Sequence, residues 1–222
     1  MAVHVEQDPI AFTVEDDPMR APARVHNAAR PVPAIADPAP LGLAALAMTT
    51  LVFSVFNAGL VSQTGEPVVL GLAVAYGGLA QLLAGMWEFR RGNAFGALTF
   101  GSYAAFWLSY WVLEEFLVKQ IPAAETGSAI ALYFITWAIF TALLWVASLR
   151  TTPAVSLMLA LLGVTFLLLG IGDAGSHSEL VKVAGWFGIA TAAAGLYAAF
   201  AALINSTYER TLLPLRPVRR AP

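Results

Sequence analysis

Residues 153–172 read PAVSLMLALLGVTFLLLGIG, a run without a single Asp, Glu, Lys, Arg or His. Wound as an α-helix at about 1.5 Å per residue, it covers the roughly 30 Å hydrocarbon core of a bilayer. Five more runs share that length and that absence of charge: 41–61, 67–87, 94–113, 129–149 and 183–204. Breakers separate them: Pro40, Thr64-Gly65 with Pro67, Gly92-Asn93, Pro122 with Gly127, Pro153 itself, and Gly172-Asp173-Ala174-Gly175. The pattern predicts an all-α integral membrane protein of six transmembrane helices. A soluble helix bundle is the competing fold, but the 222 residues are 59% hydrophobic and 12% charged, which leaves too little polar sequence to cover six such helices.

The division of the chain follows from the same contrast. Residues 1–36 mix Pro, Asp, Glu, Arg and Ala without a long apolar run and are expected to form a disordered cytoplasmic tail. Acidic residues precede the first arginine there, so the tail does not read as a cleaved secretory signal. Residues 37–213 are the expected transmembrane domain, and 214–222 a short cytoplasmic tail.

Orientation is carried by the basic residues. Arg20, Arg24, Arg30, Arg90, Arg91, Arg150, Arg210, Arg216, Arg219 and Arg220 all fall on one side if the chain crosses six times. The opposite loops hold Lys119 and Lys182 beside Glu66, Glu114, Glu115, Glu125, Asp173 and Glu179. The positive-inside rule then puts both termini in the cytoplasm, which suits a multi-pass protein of the plasma (cell inner) membrane. Trp87, Trp111 and Trp186 lie near span ends, at headgroup level, whereas Trp107, Trp137 and Trp145 sit deeper, where packing is the expected role. Small residues recur at four-residue spacing, as in Gly71/Ala75, Gly101/Ala105, Gly188/Ala192 and Gly195/Ala199, a pattern for close helix approach within or between subunits.

The spans limit the chemistry. With no cysteine, and with His4, His26 and His177 all outside the spans, thiolate metal sites, haem ligation and histidine relays are excluded. Neither a cofactor nor a metal is expected, and the net charge of −2 gives no footprint for nucleic acid. Intramembrane catalysis requires paired groups that these spans lack, so the chain does not read as an enzyme. What remains inside is polar but uncharged. Asn57 and Gln81 each bring an amide into apolar surroundings, and with Tyr103 they read equally as path lining or as interhelical packing. Glu88, at the cytoplasmic end of the second span, is the carboxylate nearest to a membrane path. The plainer expectation is that it faces water or pairs with Arg90 or Arg91.

Four motifs narrow the reading. DPAPLGLAALAMTTLVFSVFNAGL at 37–60, YGGLAQLLAGMWEFRRGNAFG at 76–96, SYAAFW at 102–107, and AGWFG at 184–188 with Tyr197 beyond occur in order along the chain. Together they resemble the acetate uptake transporter family, the succinate-acetate permeases, whose opening motif is N-P-A-P-L-G-L. Asp37 stands here in place of the family's Asn. The resemblance implies a homo-hexamer of six-helix subunits, each bundled around its own narrow central path. It also implies passage of acetate, succinate and related short carboxylates by proton-coupled uptake or channel-like flow. Some members of the family are linked instead to ammonium export.

The family's narrow point, a Phe, a Tyr and a Leu, corresponds here to Leu46, Tyr103 and Leu162. Leu46 replaces a flat ring with a branched aliphatic and is expected to reshape the constriction. Pro38, Pro40, Leu41 and Gly42 start the first span abruptly, so free N–H groups and the positive helix end are expected to attract a carboxylate at the cytoplasmic mouth. Thr49, Asn57, Gln81 and Tyr103 then offer polar contacts along the path, with Glu88 in a possible proton or gating role.

Overall fold

A computed structural model describes residues 35–215. The expected N-terminal tail falls almost wholly outside the described residues, as does most of the C-terminal one. Among the described residues every regular element is helical.

Helix α1 spans Ala39–Asn57, with Pro40 in its first turn, where the missing N–H removes no intrahelical bond. It ends at Ala58, followed by Gly59 at φ +72°. A single 3₁₀ turn, Gln63–Gly65, leads into α2, which is continuous through Val68–Leu72, a π-helical stretch Ala73–Ala80 and Gln81–Arg91. Gly92, at φ +76°, stops α2 in the left-handed conformation that a Cβ disfavours. Asn93 then caps α3, Ala94–Val112, its Oδ1 accepting the Gly96 N–H at 3.2 Å. A π turn, Leu113–Leu117, and a 3₁₀ turn, Val118–Gln120, extend α3 beyond its apolar span. The remaining helices are α4 (Ala123–Ser148), α5 (Pro153–Ala174, with Thr152 as N-cap) and α6 (Ser178–Thr207).

Five of these helices are long and apolar enough to cross a membrane by hydropathy. The sixth, α3, carries Trp107, Trp111, Tyr103 and Tyr110 with Thr99, Ser102 and Ser109, and these residues lower its hydropathy without adding charge. Its inward face supplies much of the aromatic core instead: Phe106 packs on Trp107 at 4.9 Å between ring centroids and on Phe166 of α5 at the same distance. Leu83, Leu132, Leu143 and Trp186 point outward and are exposed, the apolar belt that hydrocarbon requires.

Packing follows the small residues. α1 lies along α6, α6 along α5, α5 along α4, and α2 along α3. A Cβ on Gly185 would come within 2.2 Å of the Ala58 nitrogen, and one on Gly188 within 2.0 Å of Ser54 Oγ. Gly195 faces Ala47 and Met158 at 3.0 Å. The glycines of α6 therefore serve contacts inside one subunit. Gly71, in contrast, has no neighbour within 4 Å of its Cβ position. Trp145 departs from the packing role expected of it: it is exposed and lines an apolar groove between α4 and α5 with Leu159 and Gly163. Helical spacing would put Trp145 on the face of Phe134, Ala138 and Thr141, but near the end of α4 burial passes to Leu144 and Ser148 and leaves Trp145 at the edge of that face.

Candidate functional site

Leu46, Tyr103 and Leu162 come from α1, α3 and α5 and belong to one buried apolar cluster, each at most 2% exposed. Tyr103 is flanked by Trp137 and Phe140 of α4, with ring centroids 6.1 Å away in both cases. Its hydroxyl lies 2.9 Å from Thr141 Oγ1. Thr141 donates its own proton to the Trp137 carbonyl at 2.7 Å, so Tyr103 must be the donor between the two hydroxyls. Tyr103 thereby spends its single proton inside the protein and leaves its oxygen lone pairs for any guest.

The hydroxyls within the helices fall into two groups. Thr99, Thr141, Thr165 and Thr191 each donate to the carbonyl four residues back and are satisfied by their own helix. Thr49, Thr50 and Ser54 of α1 are buried, and their hydroxyl oxygens have no protein partner among the described residues. The same holds for both amide atoms of Gln81, one oxygen of Glu88 and the Trp107 indole nitrogen. An unpaired buried polar group costs about 1–3 kcal/mol, so such a set on α1, α2 and α3 calls for an explanation beyond packing.

Helical spacing aligns these groups. Leu46, Thr50, Phe53 and Asn57 follow one face of α1 with Thr49 beside it, while Gly77, Gln81, Ala84 and Glu88 follow one face of α2. The π-helical stretch lies where the two meet: a Cβ on Gly77 would lie 2.6 Å from the Trp107 ring and 2.9 Å from Thr49 Oγ1. Glycine there lets backbone, hydroxyl and indole converge, and π-turns of this kind are frequent at functional positions. Asn57, the last residue of α1, is half-buried and sits at the end of the bundle away from the arginines.

Glu88 differs from the plainer expectation. It is fully buried, accepts a hydrogen bond at 2.9 Å from Asn93 Nδ2, and pairs with neither Arg90 nor Arg91. Arg91 reaches Asp37 instead. The cause is the tight turn at Gly92, which folds Asn93 back onto the carboxylate. Gly96 has no side chain to obstruct it, since a Cβ there would lie 2.7 Å from Glu88 Cδ.

The start of α1 is also more self-contained than its sequence suggests. Asp37 Oδ1 accepts the Ala39 N–H at 3.1 Å, Pro38 O accepts the Gly42 N–H at 3.0 Å, and Pro40 has no N–H. Pro38 and Gly42 are buried, Gly42 directly beneath the Phe100 ring, while Leu41 is exposed. Thr50, Ser54 and the Trp107 nitrogen are the polar groups that sequence reasoning did not assign to the path. Their four-residue spacing from Leu46, for the two hydroxyls, was the available signal.

Comparison with known proteins agrees with the helical fold. The profile of the GPR1/FUN34/yaaH family matches residues 21–218. Acetate permease A of Emericella nidulans is 38% identical over 195 residues, which cover 81% of this chain and 65% of that protein's length. The succinate-acetate/proton symporter SatP of Escherichia coli is 32% identical over 181 residues, 82% of this chain and 95% of SatP. Ammonia transport outward protein 2 of Saccharomyces cerevisiae is 35% identical over 215 residues, 93% of this chain and 72% of that one. The structure of the bacterial acetate channel SatP superposes with a TM-score of 0.77 at 31% identity, covering 82% of this chain and all of SatP.

Proposed function

The chain belongs to the GPR1/FUN34/yaaH family, and from that premise we propose that it moves short carboxylates such as acetate and succinate across a membrane. Each subunit provides its own path, by proton-coupled uptake or channel-like passage. The observation that carries the reading is the set of buried, unpartnered polar atoms on α1, α2 and α3 beside Leu46, Tyr103 and Leu162, in spans with no charge at their centre.

Charge-free spans favour a neutral guest. A carboxylate at the bilayer centre has no cation to meet, whereas a carboxylic acid has an O–H to donate. Tyr103 fits that species: with its proton committed to Thr141, it presents lone pairs that accept from an acid and repel an anion. Thr49 and Gln81 supply further contacts along the path, Asn57 stands at its outer end, and Pro38, Pro40, Leu41 and Gly42 shape its cytoplasmic mouth. Glu88, buried near that mouth and held by Asn93, is the group for a proton or gating role. The family resemblance supports a homo-hexamer, and the arginine distribution supports the plasma membrane with both termini in the cytoplasm.

The test is uptake of labelled acetate by the purified protein in liposomes. With an ordinary carboxyl pKa near 4.3, roughly a few tenths of a per cent of such an acid is neutral at pH 7, so uptake rises as the external pH falls from 8 to 5, and succinate competes. Ammonium flux without acetate uptake would instead support export of ammonium, the reading that the similarity to ammonia transport outward protein 2 favours.

A further inference from the structure

At the end of the bundle opposite the arginines, a cavity of about 370 Å³ opens between the α1–α2 connection and the end of α3. Gln63, Glu66, Tyr110, Glu114, Glu115 and Lys119 contribute to its lining. Glu66 and Glu114 are half-buried, and so is Asp173 at the end of α5, close enough for its charge to act on Glu114.

An acidic rim alone would be a solvated surface, but Tyr110 gives this one a floor. Tyr110 is 4% exposed, its ring held edge-on by Phe53 at 5.3 Å and Trp107 at 6.2 Å. The hydroxyls of Tyr103 and Tyr133, the other two tyrosines of the aromatic core, are hydrogen-bonded within the protein. That of Tyr110 has no such bond among the described residues, and Tyr110 lines the cavity. A hydroxyl without a protein partner, on a nearly buried ring and open to a polar cavity, suits a small guest with hydrogen-bonding oxygens.

The geometry points to a proton-loading vestibule. A short carboxylate drawn in by Lys119 and held on the Tyr110 hydroxyl takes a proton from the Glu114 carboxyl before it enters the charge-free bundle. The inference rests on the transport reading above and adds to it the group that neutralises the substrate. In the step, the O–H bond of Glu114 breaks and an O–H bond forms on the substrate. Glu114 is left as a carboxylate, and external water reprotonates it.

Burial first, and then the charges of Glu66 and Asp173, push the Glu114 carboxyl up from its ordinary value. Its proton affinity is thereby raised above that of an ordinary side-chain carboxyl. Glu66 and Asp173 are the charges that favour the protonated form around it, while Glu115, Tyr110 and Lys119 line the same cavity.

The competing account is a plain electrostatic filter, in which the rim repels anions, and the two accounts differ in sign. The experiment is labelled-acetate uptake by the full chain in liposomes across external pH 5 to 8, for wild type, Glu114→Gln, Glu114→Asp and Glu66→Gln. Loss of a proton donor lowers Glu114→Gln uptake several-fold at pH 7, with the gap narrowing towards pH 5 as bulk water supplies neutral acid. Glu114→Asp recovers most of the neutral-pH uptake. Glu66→Gln relieves a neighbouring charge, lowers the Glu114 pKa and shifts the profile the same way by less. A Glu114→Gln profile that superimposes on wild type, or greater uptake at pH 7, overturns the vestibule. A wild-type protein that takes up no acetate at any pH overturns the transport reading itself.

Discussion

Tyr103 and Thr141 form a chain of two hydrogen bonds with a fixed direction. Because Thr141 donates to Trp137, the Tyr103 hydroxyl is fixed as its donor, and on the path proposed above this O–H direction decides which protonation state of a guest Tyr103 can accept from. Thr141→Val removes that acceptor and frees the Tyr103 proton. The substitution costs about 1 kcal/mol of stability through the lost hydrogen bonds and lets Tyr103 donate to an anion. Uptake by Thr141→Val is therefore expected to fall less steeply than wild type as external pH rises from 5 to 8, and parallel profiles would refute the assignment. On the same proposed path Leu46 is expected to act on size instead of charge. Leu46→Phe adds a ring to a position that is 1% exposed, so it is expected to narrow the path and lower the ratio of succinate to acetate uptake. A competition assay on the two acids in liposomes reads that ratio directly. Leu46 and Tyr103 stand in motifs that the sequence shows, at 37–60 and 102–107, whereas Thr141 stands in none. The direction of the Tyr103 proton was not legible there, because it depends on a threonine 38 positions away.

Among the helices, close approach is decided by single hydrogens in place of methyl groups. Gly185→Ala would drive a Cβ against the Ala58 backbone, which cannot rotate away as a side chain would. We expect it to separate α1 from α6 and destabilise the protein by about 1–3 kcal/mol, seen as a lower Tm in detergent. Gly71→Ala meets nothing within 4 Å and is expected to be neutral, or to raise stability by up to about 1 kcal/mol through helix propensity. Equal Tm changes for the two would contradict this packing. The helices themselves could be read from uncharged runs and their Gly and Pro breaks, with ends displaced by a few residues. α4 begins six residues before its apolar run and α6 five, because polar first turns carry Glu125 and Glu179 at the favourable helix N-terminus. The π-helical stretch of α2 could not be read, since Gly77-Gly78 in a helix has no periodic signature; it lies where Trp107 and Thr49 approach the Gly77 backbone. Burial of Glu88 escaped for a similar reason: charge next to Arg90 and Arg91 suggests a water-facing end, while the turn at Gly92 closes Asn93 over it.

Across the whole molecule the charges are sorted by end. Arg90, Arg91, Arg150 and Arg210 lie at the end where α2, α4 and α6 finish, and Glu66, Glu114 and Asp173 at the end where α2 starts and α3 and α5 finish. The positive-inside tendency predicts that the arginine-rich end lies on the cytoplasmic side. In that orientation the acidic cavity meets the external solution, and the proton loading proposed above draws on the pH outside. The absence of native cysteine makes this directly measurable. Gln120→Cys, exposed beyond α3, and Thr207→Cys, exposed at the end of α6, place one thiol at each end. In intact cells a membrane-impermeant maleimide is expected to label Gln120→Cys and to leave Thr207→Cys unmodified until the membrane is opened. The reverse pattern would turn the molecule over. The acidic cavity would then face the cytoplasm, so proton loading there would serve efflux, and the pH dependence of uptake would need another source.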